Sequence, residues 1–229
     1  MATIIALAFS VVCAAQEVGR LDLVDRDIKG WQHRNLQVGG GCGGGCDHCK
    51  RQPELRISFV SVGDQTIDPA GETEIELKIE NVGKKDILLP FVPDPADIEP
   101  KSQDYRFDEM LVSVLVYYPG GKDFQAVLAA ASFYARESAD YLRLAPGQWA
   151  SIRLKSSPLQ RDEELVHLLQ RKGELETRLG ASLQVQAVQY HGGKNPHEDH
   201  DCMAKRVSVQ EASQEGIFFR YTATRKESH

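Results

Sequence analysis

The chain has few of the residues and motifs that mark catalysis or nucleic-acid binding. Of 229 residues, 5 are Cys, 3 are Met and 2 are Trp, and aromatics make up 7%. It has no Gly-x-Ser-x-Gly elbow, no phosphate-binding loop, no dinucleotide fingerprint and no His-Glu-x-x-His. The usual signatures of elbow hydrolases, P-loop NTPases, Rossmann enzymes and zinc proteases are therefore missing. Basic residues do not predominate. Lys and Arg number 27 against 33 Asp and Glu, a net charge of -6, which excludes a basic nucleic-acid footprint over the whole chain. No eighteen-residue apolar run occurs, so no internal membrane span is expected. No Asn-x-Ser/Thr site occurs either.

What is present suits a packed domain. Hydrophobic residues make up 41% and charged residues 26%, enough for a buried core. The length fits one ordinary domain with an attachment, or two small domains.

Residues 1–15 carry no charged side chain, and Ile4 to Val12 form an apolar stretch of the length of a signal-peptide core. Val12-Cys13-Ala14 or Cys13-Ala14-Ala15 suits a signal peptidase, leaving Ala15 or Gln16 as the new start. No Lys or Arg precedes the apolar run. Lipidation of Cys13 is disfavoured because Val12 is not small. The expectation is a signal peptide over 1–15 and a secreted or periplasmic chain. Removing it leaves Cys42, Cys46, Cys49 and Cys202. Export favours disulfides, and three full pairings of four thiols remain open.

Residues 16–53 read as a flexible Gly/Cys-rich arm. Six glycines fall within residues 39–45, a tract whose ordering entropy opposes a helix or regular strand. From Glu54 the period becomes two. Leu55, Ile57 and Phe59 alternate with polar residues, and Ile75, Leu77 and Ile79 do so most cleanly. Asp86 to Leu89, Leu111 to Tyr118, Trp149 to Leu154, Leu183 to Ala187 and Ile217 to Thr224 add strands. Leu111 to Tyr118 is apolar on both faces, as a central strand requires. Phe124 to Tyr134 is ambiguous between strand and short helix. One helix is predicted after Ser157 and Pro158, with Leu165, Leu168 and Leu169 as its apolar stripe and Gly173 as its stop.

Short strands, turn signals and one helix predict an all-β fold, an antiparallel Ig-like β-sandwich over 54–224 with a tail at 225–229. Asn81-x-Gly83 after one alternating strand and Pro146-Gly147-Gln148 before another resemble the turns of bacterial Ig-like modules on secreted proteins. That resemblance covers residues 54–224. It implies a fold that hosts adhesion, inhibition, cargo binding and scaffolding.

Two clusters could carry chemistry. Cys42-x3-Cys46-x2-Cys49 is similar in spacing to the iron–sulfur motif of radical SAM enzymes. That family uses an α/β barrel, and this chain lacks alternating helices. Cys46-Asp47-His48-Cys49-Lys50 resembles the haem-attachment motif ending in Lys of nitrite-reducing cytochromes, but no Cys-x-x-Cys-His accompanies it. The second cluster is His197, His200 and Cys202, preceded by His191, in a segment that reads as a long loop. Imidazole, thiolate and carboxylate there suit zinc or copper.

In an Ig-type sandwich the start of the first strand and that loop share one end. Cys42, Cys46, His48, Cys49, His197, His200 and Cys202 therefore form one candidate metal set, with disulfide pairing of the four cysteines as the preferred use and no cofactor. A Cys46–Cys202 bridge would close a loop of roughly 155 residues, stabilising by at most about 5 kcal/mol. Asp94, Asp97, Glu99 and Asp104 form an acidic run that reads as solvated rather than calcium-binding. Tyr117, Tyr118, Phe124, Phe133 and Tyr134 read as core more than as a binding face. The expected function is an exported, non-enzymatic binding or scaffold module whose partner is an unknown protein or surface ligand. The alternative is a metal- or thiol-handling protein.

Overall fold

The structure is a computed structural model that describes residues 16–24, 50–51, 54–68, 71–93, 105–118, 126–156, 163–190 and 200–220. These residues are mostly strand. In chain order they form β1 (Glu17–Asp22), β2 (Lys50–Arg51), β3 (Leu55–Val62), β4 (Thr66–Ile67), β5 (Glu74–Asn81) and β6 (Ile87–Pro90). β7 (Tyr105–Tyr117), β8 (Ala126–Ala135), β9 (Tyr141–Leu144) and β10 (Trp149–Lys155) follow. The helix α1 (Glu163–Lys172) then precedes β11 (Glu174–Tyr190) and β12 (His200–Arg220). The expected all-β class holds.

One sheet runs β1-β10-β5-β3. The second runs β2-β12-β11-β7-β8, with β4 also on β12, and β6 and β9 make a two-stranded third. Side chains of the two larger sheets merge in one hydrophobic core. Strict alternation explains most of it. Ile75, Leu77 and Ile79 of β5, Val114 and Val116 of β7, and Leu183 of β11 are fully buried, as are Ile152 and all but a trace of Leu154 in β10. Val185 is only partly buried. β3 keeps its inward face through a β-bulge between Phe59 and Ser61. The extra residue resets the phase, so Val62 returns to the core while Val60 stays 54% exposed. β7 lies between β11 and β8, with Met110, Val112, Val114 and Val116 buried on its inward face.

Of the stretch ambiguous between strand and helix, Ala126 to Tyr134 belongs to strand β8. Phe133 and Tyr118 are core, and Tyr117 and Tyr134 are half-buried. Phe124 lies outside the described residues. α1 sends Leu165 and Leu169 into the shared core. It stops where Gly173 takes φ +75° and its N–H donates to the Leu169 carbonyl at 2.7 Å.

Two expectations need correction. β1 falls inside the segment read as a flexible arm. It pairs parallel with β10, Gly19 to Asp22 against Ala150 to Arg153, and Leu23 and Val24 just after it are buried. β12 begins at His200 rather than near Ile217, so the stretch read as a loop is largely strand, held in antiparallel register to β11 with three irregularities.

Asn81 joins two turns. Its side chain is fully buried. The Nδ2 group donates to the carbonyls of Lys85 and Leu144, each at 2.8 Å, and Oδ1 accepts from Gly83 N–H at 2.9 Å. Its N–H donates to the Gln148 carbonyl at 2.9 Å, and its carbonyl accepts from Gly147 N–H at 2.8 Å. Gln148 Oε1 in turn accepts from Ala145 N–H at 2.8 Å. Asn81-x-Gly83 and Pro146-Gly147-Gln148 are thus two halves of one hydrogen-bonded unit.

Asn81→Ala strands two carbonyls and one amide, and we expect it to cost about 2–4 kcal/mol in denaturant unfolding. Asn81→Asp faces the same carbonyls with a carboxylate, whose pKa burial and repulsion would raise. Its deficit against wild type should therefore shrink as pH falls through that raised value towards about 4, and level off below it. A deficit independent of pH would count against this environment.

Candidate functional site

Of the candidate set, the described residues include His200 and Cys202, both on β12. β11 and β12 pair along their whole length, with Tyr190 opposite His200 and Val188 opposite Cys202. Cys202 is therefore a strand residue held by a ladder, not a loop residue. On the other edge of β12, Lys50 and Arg51 pair parallel with Val207 and Ser208. Cys49 is bonded directly to Lys50, so the Cys tract joins the chain on the strand that carries His200 and Cys202.

Cys42, Cys46, His48, Cys49 and His197 lie outside the described residues, as do Asp94, Asp97, Glu99 and Asp104. Among the described residues, no group of three or more His, Cys, Asp or Glu side chains gathers to hold a metal.

The described charges tie strands together. On the solvent face of the first sheet, Arg153 of β10 bridges Asp22 of β1 and Glu74 of β5. Its pKa is raised by the hydrogen bond to Glu74 and the charge of Asp22. Arg20 reaches Glu76 at 4.0 Å, and Lys155 reaches Glu72 at 3.4 Å. Glu80 takes Arg56 at 2.9 Å and Lys78 at 3.2 Å. Burial pushes the Glu80 carboxyl up, but these two cations outweigh it and hold it below its ordinary value. Lys78 also lies 5.2 Å from the centre of the Trp149 ring. Such pairs contribute little each at a surface. They link neighbouring strands along the observed order β1-β10-β5-β3.

A separate polar contact links the small sheet to the large one. The Tyr141 hydroxyl of β9 donates to Asp108 Oδ2 of β7 at 2.8 Å. Burial, this hydrogen bond and the charges of Asp108 and Asp140 all raise the Tyr141 pKa. The phenol therefore stays a donor under conditions where a free tyrosine ionises. Sequence reasoning did not single out this pair, because its members stand 33 residues apart with no motif between them.

The sign of the pH effect follows. A folded pKa raised above the unfolded value of about 10 contributes stability that is fully present below that value and is lost as pH rises above it. Wild type should lose stability above about pH 10 more steeply than Tyr141→Phe. Near neutrality the variant should be less stable by about 0.5–1.5 kcal/mol. Parallel alkaline limbs in the two proteins would contradict the contact.

No family model matches the chain, and no curated protein matches it. Among solved structures it is similar to a sporulation control protein from Bacillus subtilis at 15% identity, over 69% of this chain and 50% of that one, with a TM-score of 0.28. A β-glucosidase from Listeria innocua aligns at 10% identity over 68% of this chain and 16% of that one, with a TM-score of 0.24. A protein from Archaeoglobus fulgidus aligns at 10% identity over 70% and 94%, with a TM-score of 0.23. The chain thus spans half of the first of these proteins and a small part of the second, and likenesses this loose carry no argument about family or activity.

Proposed function

We propose that the chain is an exported, non-enzymatic binding or scaffold module with an Ig-like β-sandwich fold. The observation that carries this reading is the single core shared by the four-stranded and six-stranded sheets. The turn motifs that resemble secreted Ig-like modules meet where β5 ends and β10 begins, joined through Asn81. The described polar side chains discussed above hold strands and turns in place. The partner is an unknown protein or surface ligand, with no nucleic acid involved and no transmembrane segment once the signal peptide is removed. A cut after Ala15 leaves all of β1 in the mature chain.

The β2–β12 pairing favours one second reading, a metal- or thiol-handling role. Cys202 lies five residues from Val207, about 17 Å along a strand. Lys50, the partner of Val207, is eight residues from Cys42, an extended reach of up to about 28 Å. Chain length therefore permits Cys42 or Cys46 to meet Cys202 as a disulfide, or cysteines of that tract to join His48, His197 and His200 around zinc or copper.

Cell fractionation, peptide mapping without reduction and metal analysis test both readings on one preparation. We expect exported protein without its first residues, with Cys202 linked to a cysteine of the 42–49 tract and no stoichiometric metal. Free thiols with one zinc or copper per chain would favour the second reading. Cytoplasmic protein retaining Met1 would overturn the export reading.

A further inference from the structure

We infer that Gln16 becomes the first residue of the mature chain and closes to pyroglutamate, a modification that caps β1. The inference rests on the export reading above. Cys13-Ala14-Ala15 places small residues at both positions a signal peptidase reads before a cut. That cut frees an α-amine on a glutamine. The amine nitrogen can then bond to the side-chain Cδ while the Cδ–Nε2 bond breaks. The displaced nitrogen leaves with a proton from the amine as ammonia, and nothing is oxidised or reduced.

The fold leaves this step open. Gln16 is exposed, so nothing described holds its side chain away from the amine. Its one described anchor is the backbone carbonyl, which accepts from Trp149 N–H at 3.1 Å. That carbonyl lies outside the lactam ring, so the ring forms without disturbing the bond.

The cap protects a strand that begins immediately after it. Glu17 is the first residue of β1 and pairs with Trp149. Glu17 Oε1 accepts from the Ser151 hydroxyl at 2.5 Å. An aminopeptidase removing two residues would delete both that contact and the Gln16–Trp149 bond. A lactam offers no free amine to such an enzyme.

The test is to express the full chain in an exporting host and analyse the purified mature protein by intact mass and N-terminal sequencing. The expected result is a chain starting at Gln16 and lighter by one ammonia. It should be closed to sequencing and to aminopeptidase until pyroglutamyl peptidase is added. Gln16→Ala should be exported and folded, yet open to both at once. A mature chain starting at Ala15, or at an uncyclised Gln16, overturns the inference and leaves the export reading standing. Exclusive retention of Met1 overturns both.

Discussion

The fold depends on a carboxamide taken out of water. Asn81 ends the cleanest strand of the chain, where an apolar side chain would satisfy the burial pattern as well. Its buried amide instead binds the Leu144 carbonyl beyond the strand and the Lys85 carbonyl within its own turn. An unmade hydrogen bond at a buried group is expensive, so a polar group there must be satisfied in one geometry. That requirement fixes where β5 ends, where β6 departs and how β9 turns into β10. With β10 set against β5 in register from Trp149–Glu80 to Lys155–Glu74, the inward residues Ile75, Leu77, Ile79, Ala150, Ile152 and Leu154 line up on one face. The shared core follows from that alignment.

The other end of the same strand pair is closed by the same logic. Thr73 N–H donates to the Ser156 hydroxyl and Ser156 N–H to the Thr73 carbonyl, each at 2.8 Å. β1 then adds to the free edge of β10. Its backbone contacts are reinforced by Arg153, which holds Asp22 of β1 and Glu74 of β5 together. The N-terminal segment thus reaches both large sheets, the first through β1 and the second through β2 on β12. Strand addition at two edges reduces the exposed pairing groups that would otherwise invite association.

Much of this was legible in the sequence, and the rest was hidden for physical reasons. Ile75, Leu77 and Ile79 declared β5 because one face is wet and the other dry. Leu165, Leu168, Leu169 and Gly173 declared the helix and its stop. Asn81-x-Gly83 was legible as a turn but not as a buried hub, because nothing local reveals that Leu144 and Gln148 come to meet it. β1 escaped notice because Arg20 and Asp22 face solvent and are tied by ion pairs to Glu76 and Arg153, partners found only through the fold. The first half of β12 escaped for a different reason. His200 to Arg206 shows no apolar alternation, and its strand state comes from the ladder to β11. For the candidate site, the sequence named a set of Cys and His residues. The described backbone adds the strand that carries His200 and Cys202 and the edge at which the Cys tract arrives, a long-range pairing that spacing alone does not encode.

Native-state hydrogen exchange tests the central claim most directly, that the Asn81 junction and β1 belong to the same cooperative unit as the core. The account predicts that the amides of Asn81, Gly147, Leu23 and Trp149, each donating a backbone hydrogen bond in the structure, open with the same free energy as the amides of Leu77 and Ile152. Exchange of those four amides through a low-energy opening, with the core amides still protected, would contradict it.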